Sequence, residues 1–435
     1  MITEKNKKKL HNIINKLTKS FGQFPKFVYN NKKFENKVFY SGPYFDKKEI
    51  LAIMESLIFG KWFSGGEYVH KFEITFSKMF NITNSVMVNS GSSANLLMIA
   101  ALKKYLKWSD GDEIIVSVVG FPTTLSAIIL NNLKPVFVDI EFSTLNFDVA
   151  EIKNKITERT RAIFISPVLG NPTDMDCLVN LSNEHKIELV LDSCDSLGTK
   201  WNGEYLHNFA IASSFSFYPA HHIATGEGGM ICSNNSEIIK IARSMAWWGR
   251  DCYCVGAANL LPGGTCKHRF DKWIPEHDGI LDHKYIFTNV GYNLKPLDLQ
   301  GAIGLVQLQK FGEIHKKRIK YKNEIEEIFL SNIIGLRGVD VLSLSDVCWF
   351  GVPLICDNEE MKYSLVEHLE KNGIQTRNYF AGNILIHPAY KHLGDWKEYE
   401  NANKVLKRVF FVGCSPQYNK KTISYIKKIV KGFSQ

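Results

Sequence analysis

The sequence predicts an α/β protein built on a mostly parallel sheet that helices cover on both faces. Short apolar runs of strand length, such as residues 86–88, alternate with amphipathic stretches of helical length as far as residue 191, a pattern typical of buried parallel strands joined by helices. The chain has 435 residues, of which 45% are hydrophobic. That is enough for a sizeable core and, at roughly 100 to 200 residues per domain, for two or three domains.

The elements can be assigned in order along the chain. Two amphipathic helices come first, separated by a turn at residues 63–66 that contains two glycines; they are predicted over residues 46–59 and 67–79. Strands and helices then alternate. The strands are predicted near residues 86–88, 113–119, 136–138, 161–166 and 188–191, and the helices over 94–106 and 178–185.

The pattern changes near residue 313 to a long charged helix, followed by a mixed α and β segment. We therefore expect a basic N-terminal arm (1–45), a large cofactor-binding domain (46–312) and a smaller C-terminal α/β domain (313–435). The arm carries an amphipathic pattern at Leu10, Ile13, Ile14 and Leu17.

Charge and apolar patterning restrict the partners. The formal net charge of +9 is dispersed over many lysines, with one dense cluster between Lys5 and Lys9. This suits an anionic small molecule better than a nucleic-acid track, although a lysine-rich solvated surface has the same composition. The sequence contains no signal-peptide core and no apolar run of about 18 residues. We expect a cytoplasmic protein without membrane association, whose nine cysteines are not disulfides.

Two polar features follow predicted strands. Residues 89–95 (Asn-Ser-Gly-Ser-Ser-Ala-Asn) open a helix, where backbone N–H groups and hydroxyls can surround a phosphate; such junctions are also common without any ligand. Asp192 ends the apolar run 188–191. An acid there can reach a ligand at the carboxyl edge of the sheet and keep a pyridinium nitrogen protonated, or it can simply cap a helix.

The run from Ser216 to Gly229 reads Ser-Phe-Tyr-Pro-Ala-His-His-Ile-Ala-Thr-Gly-Glu-Gly-Gly. It resembles the DegT/DnrJ/EryC1/StrS family of sugar aminotransferases, in which Ser-Phe and Thr-Gly-Glu-Gly-Gly enclose the Schiff-base lysine. The 89–95 loop, residues 120–123 (Gly-Phe-Pro-Thr) and residues 291–295 (Gly-Tyr-Asn-Leu-Lys) match as well. The resemblance runs from about residue 40 to the C-terminus and implies an aspartate aminotransferase-like fold, that of fold type I pyridoxal phosphate enzymes.

The resemblance also implies roles by position. Phe121 would stack on the pyridine ring, Asp192 would pair with its nitrogen, and Asp195 would lie beside the cofactor. Arg377 and residues 380–383 would face the substrate. The phosphate would be held by Ser90, Gly91, Ser92, Ser93 and Ser216, helped by Asn293 from a second subunit of a homodimer.

A histidine, His221, falls on the lysine position. An imidazole cannot form the stable Schiff base that lysine makes with pyridoxal phosphate, but it can move protons near neutral pH. Such a site should hold pyridoxamine phosphate noncovalently, with His221 as the base that drives a hydroxyl from a keto-sugar. Two alternatives stay open: His221 fills the pocket of an inactive protein, or the adjacent His222 is the base.

Four cysteines complete the pattern: Cys194, Cys252, Cys254 and Cys266. Four thiolates can hold a [2Fe-2S] cluster, and the arrangement resembles the CDP-4-keto-6-deoxyglucose-3-dehydrase branch of the family. The branch has 57 residues between its first two ligands and one between the next two, as here. It has seven before the last ligand, whereas eleven residues precede Cys266. Zinc held by the last three cysteines and His268 is the alternative, and the remaining cysteines are expected to be merely buried.

The resemblance therefore implies a 3-dehydrase for a nucleotide-activated, CDP-linked 4-keto-6-deoxyhexose, serving 3,6-dideoxysugar and lipopolysaccharide biosynthesis. It uses pyridoxamine phosphate and the cluster, with electrons from a separate NAD(P)H-dependent iron-sulfur flavoprotein reductase. Three rivals remain: a cluster-free dehydratase that uses glutamate, an aminotransferase for which His221 is dispensable, and a non-catalytic protein that binds sugar nucleotides.

Overall fold

The computed structural model describes residues 4–21, 37–252 and 266–433. Within those ranges no helix combines the length and the apolar character needed to cross a membrane. The α-helices are α1 (Glu4–Phe21), α2 (Lys47–Phe59), α3 (Glu67–Met79), α4 (Gly91–Tyr105), α5 (Pro122–Ile129), α6 (Val149–Lys155), α7 (Met175–His185), α8 (Ser236–Ala246), α9 (Asp298–Leu330), α10 (Glu359–Lys371), α11 (Glu400–Arg408) and α12 (Lys420–Lys431). The strands are β1 (Asn84–Val88), β2 (Glu113–Ser117), β3 (Lys134–Val138), β4 (Ile140–Glu141), β5 (Asn146–Phe147), β6 (Thr160–Ile165), β7 (Glu188–Asp192), β8 (Lys200–Trp201), β9 (Glu204–Tyr205), β10 (Ala212–Ser216), β11 (Gly229–Ser233), β12 (Leu336–Arg337), β13 (Ser345–Asp346), β14 (Gly351–Cys356), β15 (Thr376–Asn378) and β16 (Val409–Gly413).

A seven-stranded sheet in the order β1-β11-β10-β7-β6-β2-β3 forms the larger part of the fold. The pairs from β10 through β7, β6 and β2 to β3 are parallel. Only β11 runs the other way, antiparallel to both β1 and β10. The prediction of a mostly parallel sheet is confirmed, and the predicted elements from residue 46 to residue 192 lie within a few residues of their observed bounds.

Both faces of this sheet are buried, as an apolar strand requires. In β2, Ile114 and Val116 pack into one core cluster and Ile115, between them, packs into another. Successive side chains of a strand point to opposite faces, so a run that is apolar throughout needs cover on both sides. The first cluster includes residues of α4, α5 and α8, and the second includes residues of α7.

The candidate functional site lies at the carboxyl ends of strands of the large sheet. Because β11 is antiparallel to both of its neighbours, β1 points in the same direction as the parallel strands. The carboxyl ends of β1, β7 and β10 therefore meet at one edge of the sheet, where α/β proteins place their ligands. The last residues of β7 and β10 are Asp192 and Ser216.

A second, four-stranded sheet in the order β12-β14-β16-β15 is antiparallel and has its own apolar cluster. Helix α9 contributes to this cluster with Ile325 and Phe329 and to a cluster of the first sheet with Leu308 and Phe311. The long helix was predicted from residue 313, but it begins at Asp298. The predicted domain boundary falls inside it, and the division into domains stays a prediction.

The basic N-terminal segment contains a helix. In α1, Leu10 and Ile14 are buried and the helix packs against α2, whereas Ile13 is 53% exposed. The predicted apolar stripe is therefore real, but narrower than predicted. The lysines occupy the other positions around the helix and are mostly exposed.

Candidate active site

A cavity of about 860 Å³ opens at the carboxyl edge of the large sheet. It is lined by loops that follow β1, β7 and β10 and by residues of the smaller sheet. Ten of the residues predicted from the sequence line it: Ser90, Gly91, Ser92, Phe121, Asp192, Cys194, Asp195, Ser216, His221 and Arg377. The resemblance thus selected residues that are far apart in the chain and close in space.

The start of α4 has the features of a phosphate cradle. Ser90 caps the helix by accepting a hydrogen bond from the Ser93 backbone N–H at 3.1 Å, so Ser93 supports the turn without lining the cavity. Gly91 has no room for a side chain, since a Cβ there would lie 2.5 Å from the Cβ of Ser216. This close contact between the start of α4 and Ser216 leaves backbone N–H groups and the hydroxyls of Ser92 and Ser216 beside the cavity. Such an arrangement suits a phosphate.

Asp192 is held by three donors. Its Oδ2 accepts hydrogen bonds from Asn95 Nδ2 at 2.7 Å and Thr124 Oγ1 at 2.6 Å. Its Oδ1 accepts one from the backbone N–H of Cys194 at 3.2 Å. No α-helix begins at Asp192, so the helix-cap alternative is wrong. A fixed carboxylate at the cavity wall fits the pairing with a pyridinium nitrogen.

Phe121 offers an aromatic face to the cavity. Its side chain is 50% exposed, although a phenylalanine is usually buried. Its ring meets that of Phe380 edge to face, with 5.9 Å between the centroids, so its orientation is supported from the side. This placement suits stacking on a planar ring.

His221 and Asp195 form a close pair. The Nδ1 atom of His221 lies 3.4 Å from Oδ1 of Asp195, without the geometry of a hydrogen bond. Burial, together with the charge of Arg318, lowers the pKa of His221 to about 3. Burial and the neighbouring Asp192 raise the pKa of Asp195 to about 7. The imidazole is therefore neutral at pH 7 and able to accept a proton.

The choice between the two adjacent histidines follows from the geometry. His222 is 2% exposed, its Nε2 bonds to the carbonyl of Cys348 at 2.8 Å, and it does not line the cavity. His221 does line the cavity. Of the two histidines, His221 alone can contact a ligand bound there, and the geometry therefore favours it over His222 as a base.

The cysteine constellation is only partly described. Cys194 lines the cavity, and burial, with Asp192 adjacent, raises the pKa of its thiol well above the ordinary value. Cys252 is buried and Cys266 is partly buried, while Cys254 lies outside the described residues. Among the residues that the structure describes, no three His, Cys, Asp or Glu side chains are grouped to hold a metal ion.

The described residues alone therefore assemble neither the predicted cluster nor the zinc alternative. For the latter, His268 is exposed and contacts Asp271 at 2.9 Å. Of the other cysteines expected to be merely buried, four are buried and Cys177 is partly exposed: the four are Cys232, Cys348, Cys356 and Cys414.

The predicted substrate-facing residues divide into two groups. The guanidinium of Arg377 lies 4.2 Å from the ring centroid of Tyr40, and both residues line the cavity. Phe380 and Ala381 also line it. Asn383 does not: it is fully buried and bonds to the Trp396 carbonyl at 2.9 Å, so it supports its loop.

Asn293 is exposed and lies outside this cavity. Its predicted contribution from a second subunit stays a prediction.

Several cavity residues were not found from the sequence: Tyr40, Tyr218, Phe350 and His387. Tyr218 stands three residues before His221, and that proximity was a usable signal. The other three come from the segment before α2 and from the smaller sheet and its loops. No spacing or motif in the sequence connects them with the site.

The sheet, the cavity and the helix start at Ser90 define an enzyme of the fold type I aminotransferase class. Residues 44–431 match the DegT/DnrJ/EryC1/StrS aminotransferase family, and the chain belongs to that family.

Two curated relatives and one solved structure are similar to nearly the whole chain. A dTDP-4-dehydro-2,6-dideoxy-D-glucose 3-dehydratase of Saccharopolyspora spinosa is 37% identical over 90% of this chain and 86% of its own length. A lipopolysaccharide biosynthesis protein, RfbH, of Salmonella typhimurium is 33% identical over 89% of both chains. The structure of the GDP-4-keto-6-deoxy-D-mannose-3-dehydratase of E. coli with bound hydrated PLP is 31% identical, with a TM-score of 0.78, and covers 91% of this chain and 100% of its own.

Proposed function

We propose that this enzyme removes the C3 hydroxyl of a nucleotide-activated 4-keto-6-deoxyhexose with pyridoxamine phosphate as cofactor. The observation that carries the proposal is the wall of the cavity. His221 lines it, and none of the described residues that line it is a lysine. A cofactor bound there cannot be held through a lysine of this wall, which suits a noncovalently bound amine.

The described residues fit that cofactor. The buried Nδ1 of His221 has no hydrogen-bond partner, and a Cβ on Gly91 would collide with Ser216, so the start of α4 presents backbone there. Ser90, Ser92 and Ser216 would hold the phosphate, Asp192 the ring nitrogen, and Phe121 the face of the ring. When bound, pyridoxamine phosphate supplies a primary amine and an electron-accepting ring. PLP is bound in the E. coli relative named above.

His221 acts as the base. If its Nδ1 carries the hydrogen that faces Asp195, its Nε2 is free to accept a proton. Loss of the C3 hydroxyl as water then balances the proton taken up. Phe350 packs against the imidazole with 5.1 Å between the ring centroids and limits the access of water to it.

Replacing His221 tests this proposal. His221→Asn should leave pyridoxamine phosphate binding within about threefold and reduce dehydration by about 10²-fold or more, because the proton acceptor is lost. His221→Lys should form a covalent adduct with pyridoxal phosphate, visible as a mass shift after borohydride reduction. Full dehydration activity in the asparagine variant would exclude His221 as the base.

We propose further that Cys194, Cys252, Cys254 and Cys266 hold a [2Fe-2S] cluster and that a separate NAD(P)H-dependent iron-sulfur flavoprotein reductase supplies its electrons. The spacing of the four cysteines and the place of Cys194 in the cavity support this. Such a cluster would exchange single electrons with the site. The test is the visible spectrum of anaerobically purified protein, with about two iron and two sulfide per chain expected.

A cluster-free dehydratase that releases its product by hydrolysis and recovers its amine from glutamate is the second candidate. The solved structure of a GDP-4-keto-6-deoxymannose-3-dehydratase with a trapped PLP-glutamate geminal diamine, 31% identical to this chain, favours it. A colourless, iron-free protein that turns over keto-sugar with glutamate would establish this candidate and exclude the cluster.

The nucleotide and the assembly are part of the proposal. We propose CDP by resemblance, whereas the Saccharopolyspora spinosa relative is named for a dTDP-linked sugar and the E. coli relative for a GDP-linked one. Competition between the three nucleotides for binding decides among them. We propose a cytoplasmic homodimer in lipopolysaccharide biosynthesis, in which Asn293 reaches the partner's site. Exposed apolar side chains beside Asn293, Val290 at 95% and Tyr292 at 40%, support such an interface.

A further inference from the structure

Arg318 is a fully buried arginine beneath the active site. It lies in the middle of α9 and is 0% exposed. Its Nη2 donates hydrogen bonds to the carbonyls of Ala220 and His221, both at 3.0 Å. Its Nη1 donates to the carbonyl of Phe350 at 3.0 Å and, more weakly, to that of Trp349 at 3.5 Å.

This charge has no counter-ion of the usual kind. Among the described residues no carboxylate lies within 4.0 Å of the guanidinium, although the other buried cations of α9 are paired, Lys310 with Glu49 and Lys322 with Glu326. A buried charge without an acid is costly unless its hydrogen bonds are well satisfied. Here four backbone carbonyls accept hydrogen bonds from its two terminal nitrogens, while its buried Nε has no partner among the described residues.

The carbonyls belong to the two segments that hold the imidazole. Ala220 and His221 form the backbone of the histidine itself. The ring of Phe350 packs against that of His221 and lies 5.8 Å from the guanidinium. Because the donors of an arginine form a rigid planar fork, one side chain fixes both the base and the wall beside it.

We propose that Arg318 is a positioning residue for His221, which holds the imidazole at the cavity wall and opposes a second positive charge there. The role of His221 as base rests on the proposed function, whereas the contacts of Arg318 do not. Burial first and then Arg318 lower the pKa of His221 to about 3. The other groups that face His221 are Asp195, Tyr218 and His222, none of which is a permanent cation.

Histidine NMR tests the inference without any substrate. Full-length protein saturated with pyridoxamine phosphate is labelled with 15N-histidine, and the His221 signals are assigned by their loss in His221→Asn. In the wild type these signals should scarcely titrate between pH 8 and pH 4, since the pKa of His221 is about 3. In Arg318→Met the midpoint should rise by at least about one pH unit, since the nearby cation is gone. Unchanged signals in that variant would contradict the proposal.

Arg318→Lys separates charge from geometry and serves if the methionine variant does not fold. Lysine keeps the charge but loses the planar fork. The His221 signals should still not titrate, while kcat should fall about tenfold or more with KM nearly unchanged, because the base is less well placed. Wild-type kcat in this variant would overturn the positioning role.

Lys310→Met is the matched control, since it removes another buried cation of α9 that bonds to Glu49 at 2.7 Å. It should lower Tm without changing kcat or the His221 signals. If it lowers kcat as much as Arg318→Lys does, the effect is one of stability and the inference is wrong. If the wild type dehydrates no keto-sugar, the proposed function fails, and the NMR result still decides the role of Arg318.

Discussion

At the scale of single residues, the site depends on two groups whose pKa values are shifted in opposite directions. Burial keeps His221 neutral, with a pKa of about 3, and holds much of Asp195 protonated, with a pKa of about 7. The pair at 3.4 Å is thus a base beside a carboxyl group rather than a full ion pair. This follows from burial, which a sequence does not display, so the residues could be predicted and their protonation could not.

Asp195→Asn should retain the fold, because the amide oxygen can still accept the hydrogen bond from the Leu169 N–H, which is 3.2 Å long in the wild type. It should reduce kcat about 10-fold or more, because an amide does not orient His221 as a carboxyl group does. Steady-state kinetics with the keto-sugar measures the effect. Asp148→Asn, at the N-cap of α6, is the control and should retain wild-type kcat, since Asn caps helices as well as Asp.

A third buried histidine allows a test of pH-dependent stability. His207 lies with Nε2 2.8 Å from the Phe80 carbonyl, and burial lowers its pKa from 6.5 to about 4. Between pH 6.5 and about pH 4, His207 binds a proton in the unfolded chain but not in the folded protein. The free energy of unfolding therefore falls as the pH drops through this range. Urea unfolding at pH 7 and pH 5 measures the decrease in the free energy of unfolding between the two pH values. This decrease should be about 2 kcal/mol smaller in His207→Gln than in the wild type. Equal losses in both proteins would show that His207 is not buried in its neutral form.

At the scale of elements, the strands were easier to predict than the longest helix. Apolar runs such as β7 carry their own signal. The first half of α9 was missed, and glycines weaken a helical pattern. The structure explains why glycine stands at these positions: a Cβ on Gly301 would lie 2.4 Å from the backbone nitrogen of Val69, and one on Gly304 would lie 2.7 Å from the ring of Phe72. These glycines allow α3 to pack closely against α9.

Gly91→Ala tests the close approach of α4 to β10. The new Cβ would meet Ser216 at 2.5 Å and the sulfur of Cys194 at 3.1 Å, so the helix start must move and pyridoxamine phosphate should bind about tenfold or more weakly. Fluorescence titration with the cofactor measures the affinity. Unchanged affinity would exclude this turn as the phosphate site.

Gly312→Ala is the matched control, because its Cβ would meet nothing within 4 Å and the residue is exposed on α9. Alanine there should stabilise the protein by about 0.5–1 kcal/mol and leave cofactor binding unchanged.

At the scale of the whole molecule, the fold brings together residues from both ends of the chain. Tyr40 precedes the first strand, His221 follows β10, and Arg377 lies in β15. The family motifs identified the second and third of these. Tyr40 and Arg318 lie in segments that no motif joins to the site, and for that reason the sequence alone did not reveal them.

The proposed homodimer gives a prediction at this scale. Val290→Asp places a charge on a side chain that is 95% exposed next to Asn293, which should shift the protein towards monomer and weaken cofactor binding together. Analytical ultracentrifugation measures the first effect and cofactor titration the second. Leu130→Asp, at a site 66% exposed and far from Asn293 in sequence, should change neither. If Val290→Asp remained a dimer and bound the cofactor with normal affinity, the proposed shared site would be contradicted.

Mass spectrometry of a single turnover tests most directly whether this enzyme removes the C3 hydroxyl. Enzyme loaded with pyridoxamine phosphate is mixed anaerobically with CDP-4-keto-6-deoxyglucose, without glutamate or reductase. The reaction is quenched, and the mass of the recovered sugar is measured. The proposed function predicts a 4-keto sugar in which hydrogen has replaced the C3 hydroxyl, one oxygen atom lighter than the substrate, with ammonia released and the cofactor recovered as pyridoxal phosphate; none of these products should form with His221→Asn. A 4-amino sugar that has kept its C3 hydroxyl, formed equally by both proteins, would show transamination and contradict the proposed dehydration.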